Sequence, residues 1–146
     1  MTPRRAGGEP GVVVLGEDRI KHLEFIQQVV TRLGTNSFLV KGWALTLTAA
    51  LLAVSASRLS WPIATVGLVP LLCFWYLDTF FLRQERLFRR LYDDVRRPGS
   101  AVEPMSMNVG PYLAQTPWLP TALSQTLVLY YGPLVAADLV ILGVAL

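Results

Sequence analysis

Three apolar blocks, residues 38–56, 61–82 and 127–146, limit what this chain can become. Each approaches the roughly 20 residues that carry an α-helix across about 30 Å of hydrocarbon at 1.5 Å per residue. The 53% hydrophobic content exceeds what a soluble domain of 146 residues usually carries, and these blocks hold the excess. They predict an all-α membrane protein with three transmembrane helices. A signal peptide competes for the first block, being apolar and preceded by basic residues. Against it, the block begins near residue 38, behind another helical segment, and no small-residue cleavage site opens a mature domain.

The 13 basic side chains orient the blocks. Arg4, Arg5, Arg19, Lys21, Arg32 and Lys41 precede or open the first; Arg83, Arg86, Arg89, Arg90, Arg96 and Arg97 follow the second; Arg58 alone lies in the loop between them. Lys and Arg stay on the cytoplasmic side of a membrane. The N-terminus is then inside, the short turn at 55–60 outside, residues 83–120 inside and the C-terminus outside.

The second block continues as a helix after its hydropathy ends. Ser60 suits an N-cap and Pro62 a first turn, and beyond Pro70 nothing interrupts helical geometry before Pro98. A helix of about 36 residues, roughly 54 Å long, would leave the bilayer and project as a cytosolic stalk. Leu87, Phe88, Leu91, Tyr92 and Val95 share one face of it, while Glu85–Arg89, Arg89–Asp93 and Arg90–Asp94 are i,i+4 charge pairs. The surface formed by Arg83, Arg86, Leu87, Phe88, Arg89, Arg90, Leu91 and Tyr92 is the candidate face for a protein partner or for anionic lipid headgroups.

Upstream, Ile20, Leu23, Ile26, Val29, Val30 and Leu33 stripe an amphipathic helix that Gly34 is expected to end. Two placements are open: packed on the stalk, or lying in the headgroup plane. The layout is therefore a mobile tail (1–16), an amphipathic cytosolic helix (17–36), a transmembrane hairpin (37–82), the stalk (83–97), an interfacial connector (98–124) and a third transmembrane helix (125–146). The connector contains five of the ten prolines and few charges, too apolar a composition for a plain linker.

Charges inside the blocks are expensive and informative. In an antiparallel hairpin turning between Arg58 and Trp61, Lys41 and Asp78 fall at the same depth. They either form an ion pair that sets the hairpin's register, or Lys41 reaches for the headgroups. Asp138 has no basic residue in its own block. It either faces the protein interior or a wet path, or lies close enough to the outer interface to be hydrated. Gly132 and Pro133 predict a kink beside it. Trp43, Trp61, Trp75 and Trp118 fit an interfacial aromatic belt.

Cys73 is alone and reads as a small packed hydrophobe; His22 reads as a surface or boundary residue. Neither finds the partners a Cys/His metal site requires. No GxSxG, HExxH, CxxC or Walker pattern occurs, and acidic residues interleave with the basic ones, which disfavours nucleic-acid binding. No enzyme activity, metal or cofactor is expected.

The combination HLEFIQQVVTRLGTNSFLVKGWALTL, FWYLDTFFLRQERLFRRLY, PMSMN and SQTLVLYYG resembles a widespread family of small, largely uncharacterised bacterial multi-span membrane proteins, over about residues 20–135. Asn36, Lys41, Gly42, Trp43, Asp78, Glu85, Arg86, Phe88, Arg89 and Tyr92 match that family's pattern. The architecture is more loosely similar to two-span effectors of prokaryotic conflict systems, the SLATT-like group. That likeness implies oligomerisation and membrane permeabilisation, from which this chain departs by its third block and its lack of a fused sensor. Two functions are therefore expected in competition. One is an interaction or scaffold module acting through its cytosolic helices on itself or on a membrane partner. The other is an oligomeric pore-forming or membrane-perturbing effector.

Overall fold

Helix α1 (Glu17–Arg58) and helix α2 (Trp61–Val95) form an antiparallel hairpin along which the later elements are arranged. A computed structural model describes residues 16–58 and 61–145; residues 1–15, the expected cap at Ser60 and Leu146 lie outside them. After α2 come a 3-10 helix (Gly110–Gln115), the short α3 (Trp118–Ala122) and α4 (Gln125–Ala145). The described elements are all helical, and α1, α2 and α4 are each long and apolar enough to cross a membrane.

The expected end of a first helix at Gly34 is not observed, since α1 continues through it for 42 residues. A capping glycine takes a positive φ, and among the described glycines only Gly99 does so, at 74°. The reason lies in the buried stripe of α1: His22, Ile26, Val30, Ser37, Ala44, Thr48 and Ser55 follow one another at intervals of four or seven. A seven-residue repeat keeps one side of a helix turned to a neighbour. A break at Gly34 would rotate Ser37 and everything after it away from α2. Packing overrides the local cost of a mid-helix glycine, about 1 kcal/mol.

The character of the buried stripe reverses along the hairpin. In the half away from the α1/α2 turn, Ile26 and Val30 of α1 meet Leu87, Leu91 and Val95 of α2 in one apolar cluster, joined by Tyr112 of the 3-10 helix. In the half nearer the turn, the buried positions are mostly small or polar: Ser37, Ala44, Thr48 and Ser55 on α1, and Ala64, Gly67, Asp78 and Thr79 on α2, with Leu71 the large apolar exception, covered by α4. There most large apolar side chains face outward, with Phe38 76%, Trp43 68% and Val66 63% exposed. Small residues bring helix backbones close where burying oil offers no advantage over the surroundings.

Helix α4 packs on the turn-side half of α2, where Tyr131 and Leu127 join Leu71 and Ala44. Its Tyr131 ring stacks on Trp75 at a centroid distance of 5.7 Å. Two further expectations change. Cys73 is exposed, because α2 turns Leu71 and Asp78 inward and leaves position 73 on the opposite side. His22 is buried at 2% exposure and bonded 2.8 Å to the Ser106 carbonyl, since the connector folds over it.

The connector itself, residues 98–124, climbs back along α2 instead of lying flat across the end of the hairpin. Its successive anchors are Tyr112 on Asp94 (2.7 Å), Gln115 on Arg90 (2.7 Å), the Thr116 carbonyl on Arg83 (2.8 Å) and the Ala122 carbonyl on Trp75 (3.0 Å).

Candidate functional site

The polar centre of the hairpin is Asp78, fully buried in the middle of α2. Lys41 of α1 approaches its Oδ2 to 2.5 Å, and Ser37, one turn earlier, donates its hydroxyl to Oδ1. The Lys41 ammonium also donates to Ser37 Oγ at 2.8 Å, closing a three-residue ring. Lys41 therefore does not reach away from the protein; its side chain is 19% exposed. An ammonium and a carboxylate withdrawn from water require mutual pairing plus further hydrogen bonds, and Ser37 supplies the latter.

Helix α4 locks the same layer from a third side. Tyr130 donates to the Lys41 backbone carbonyl at 2.6 Å, and its ring lies 6.0 Å from the ammonium. Tyr131 donates to the Phe74 carbonyl at 3.4 Å. The YYGP stretch, read from sequence as a kink, thus contributes two phenols aimed at the hairpin. Neither Ser37 nor the tyrosines stand out in the sequence: a serine in an apolar block carries no distinguishing spacing, and phenols there also fit an aromatic belt.

Asp138 occupies a separate place nearer the α1/α2 turn. It is 3% exposed, so the reading of a hydrated residue at the rim does not hold. A side chain built on Gly67 would begin 3.3 Å from its Oδ1, so the glycine on α2 makes the room that the carboxylate occupies. Among the described residues no hydrogen-bond partner reaches Asp138 Oδ2 or Ser55 Oγ. The three candidate charges are consequently not one site: Lys41 and Asp78 form a layer, and Asp138 stands apart.

The candidate face on α2 divides in the same way. Leu87 and Leu91 are 0% and 1% exposed, consumed by α1, and Phe88 and Tyr92 pack at the margin of that cluster. They leave no apolar face for a partner. Of the expected charge pairs, Glu85–Arg89 forms at 2.8 Å. Arg89–Asp93 and Arg90–Asp94 do not form, because Arg90 is drawn to Gln115, Asp93 pairs with Arg96 at 3.3 Å, and Asp94 pairs with Arg97 at 2.9 Å. Arg86, Arg89 and Arg90 line a recess between α2 and the start of α3.

Tyr112 donates to Asp94 from a buried position, and its phenol is pushed up to about 12, first by burial and then by that bond. No group of three His, Cys, Asp or Glu side chains arranged to hold a metal ion occurs among the described residues. Comparison with protein-family models, curated proteins and solved structures finds no match for this chain.

Proposed function

We propose that this is a non-enzymatic integral protein of the bacterial inner membrane, a scaffold or interaction module carried on three membrane-spanning helices. The observation that carries the reading is the reversal of buried character along α1 and α2. Apolar residues are inside and charges outside around Ile26, Val30, Leu87 and Leu91, while from Ser37 to Ser55 and from Ala64 to Thr79 the inside is mostly small and polar, Leu71 under α4 excepted, and most large apolar side chains face out. Water favours the first arrangement and lipid the second. The change falls near the Lys41–Asp78 layer on both helices.

The imbalance of basic residues about the hairpin supports an orientation with the N-terminus and the 83–97 segment in the cytosol and the C-terminus outside. On this reading the cytosolic parts of α1 and α2 form a two-helix post cemented by its own core. Binding falls to its outer surface, where Ile20 and Phe25 are each 46% exposed. The partner is a second copy or another membrane protein.

Alkaline carbonate extraction and terminal tags test the membrane reading; release from lipid, or both tags in one compartment, overturns it. A photocrosslinker at Phe25 is expected to capture a neighbour, whereas one at Leu87 reacts within the chain. A monomer at all detergent concentrations, with no copurifying protein, overturns the scaffold role.

One observation favours a second reading, an oligomeric membrane-perturbing effector: Asp138 keeps an unpartnered carboxylate oxygen deep in the bundle. Overexpression would then depolarise the membrane, and Asp138→Ala would abolish the effect. Unchanged membrane potential in the overexpressing strain excludes it.

A further inference from the structure

We infer that the recess formed by Arg86, Arg89 and Arg90 with the 116–121 segment is a binding site for the phosphate of one anionic phospholipid. The proposal rests on the membrane reading above and adds a defined ligand to it. The recess encloses about 400 Å³, ample for a glycerophosphate headgroup. Arg86 lies one helical turn from both Arg89 and Arg90, so three guanidiniums share one side of α2.

Their charges are only partly compensated. Arg89 is bonded to Glu85, whereas Arg90 spends two nitrogens on the neutral Gln115, at 2.7 Å and 3.3 Å. Arg86 has no ion-pair or hydrogen-bond partner among the described residues. Asp93 also borders the recess, but its carboxylate is turned to Arg96. Like charges at neighbouring helical positions repel, and a bound anion relieves that repulsion through charge-assisted hydrogen bonds.

The opposite wall supplies a second, independent feature. Thr116 borders the recess at 4% exposure, and its Oγ1 has no hydrogen-bond partner among the described residues. A buried hydroxyl without a partner is costly, and turning it toward a phosphate oxygen in the recess would satisfy it.

The surroundings indicate lipid as the source of the phosphate. Leu119 and Leu123, beside the recess-lining Pro120 and Thr121, are 66% and 59% exposed. Tyr76 and Trp118 pair at 4.8 Å on the same side of α2, an aromatic couple suited to headgroup depth. A phosphate held by the arginines would thus have its acyl chains running over exposed leucines.

The test uses the full chain, purified in neutral detergent, stripped of lipid and examined by native mass spectrometry. Phosphatidylglycerol, phosphatidylcholine and inorganic phosphate are added separately. One phosphatidylglycerol per chain is expected, retained about tenfold better than phosphatidylcholine, with inorganic phosphate failing to displace it. Arg86→Gln is expected to lose about tenfold in retention and Thr116→Val several-fold, the latter without changing charge.

Arg32→Gln removes a charge from α1, outside the recess, and should have no effect. A thermal melt of each variant separates lost binding from lost folding, since Arg86 holds no part of the fold. Equal retention of the two lipids overturns the site, as does equal weakening by Arg32→Gln and Arg86→Gln. Displacement by inorganic phosphate overturns the assignment to lipid. Carbonate extraction reports separately on the membrane reading, so the two failures are distinguishable.

Discussion

Lys41 and Asp78 meet at 2.5 Å across the α1/α2 interface, on turns equally removed from the hairpin turn, with Ser37 bonded to both. Losing one partner leaves the other charge stranded among helices. Asp78→Ala is therefore expected to cost about 3–5 kcal/mol, measured as unfolding free energy in detergent. Lys41→Met combined with Asp78→Leu removes both charges and should recover most of the loss. A double variant no more stable than Asp78→Ala would mean that the pair itself is a strong net contributor.

Gly67 and Asp138 form a similar interdependent pair without a bond. The space in front of Gly67 is filled by the carboxylate, at 3.3 Å from the position a Cβ would take. Gly67→Val should lower stability by about 1–3 kcal/mol through overpacking. Combined with Asp138→Ala, which clears the space, the same substitution should cost much less. Additive losses in thermal melts would show that the two positions do not compete for one volume.

The end of the hairpin away from the α1/α2 turn separates folding from association. Leu91 is 1% exposed, and Leu91→Ala should cost about 2–5 kcal/mol by leaving a cavity. Phe25 is 46% exposed, and Phe25→Ala should alter stability by less than about 0.5 kcal/mol. The same Phe25 change is expected to reduce crosslinking to a neighbour. A Phe25 variant that unfolds instead would assign the ring to the fold.

Tyr112 gives the chain an alkaline weakness. Its phenol titrates near 12 in the folded protein against 10.0 for an unperturbed tyrosine. The folded state holds the proton more tightly, so the contribution is complete below pH 10 and fades as pH rises from about 10 to about 12. Tyr112→Phe should lack that component of the alkaline loss. The check is the difference in melting temperature between the two proteins across this window; parallel curves would contradict it.

How much of this was legible beforehand varied with the kind of force involved. The facing of Lys41 and Asp78 followed from counting outward from the turn, because an antiparallel helical hairpin leaves little choice of register. The course of α2 followed from the absence of a breaker between Pro70 and Pro98. The third apolar block followed likewise from length. Gly34 misled because cap statistics are local, and a shared stripe of buried residues outweighs them. His22 misled because the Ser106 carbonyl that receives it lies 84 residues away in sequence.

Hydropathy alone sufficed for three long helices and for their charged ends, since the solvent around a helix constrains average composition over 20 or so residues. Which residues face inward could not be read the same way. Where the outward face is the oily one, the interior is marked by Ser37, Ala44, Gly67 and Asp138, whose types are set by the room between backbones and not by any periodic excess of oil. The capture of Asp78 by Ser37, the seating of Tyr130 on Lys41 and the bordering of one recess by Arg86 and Thr116 depend on segments distant in sequence packing side by side. Such meetings are decided by three-dimensional fit, because each partner alone is an ordinary residue in an ordinary place.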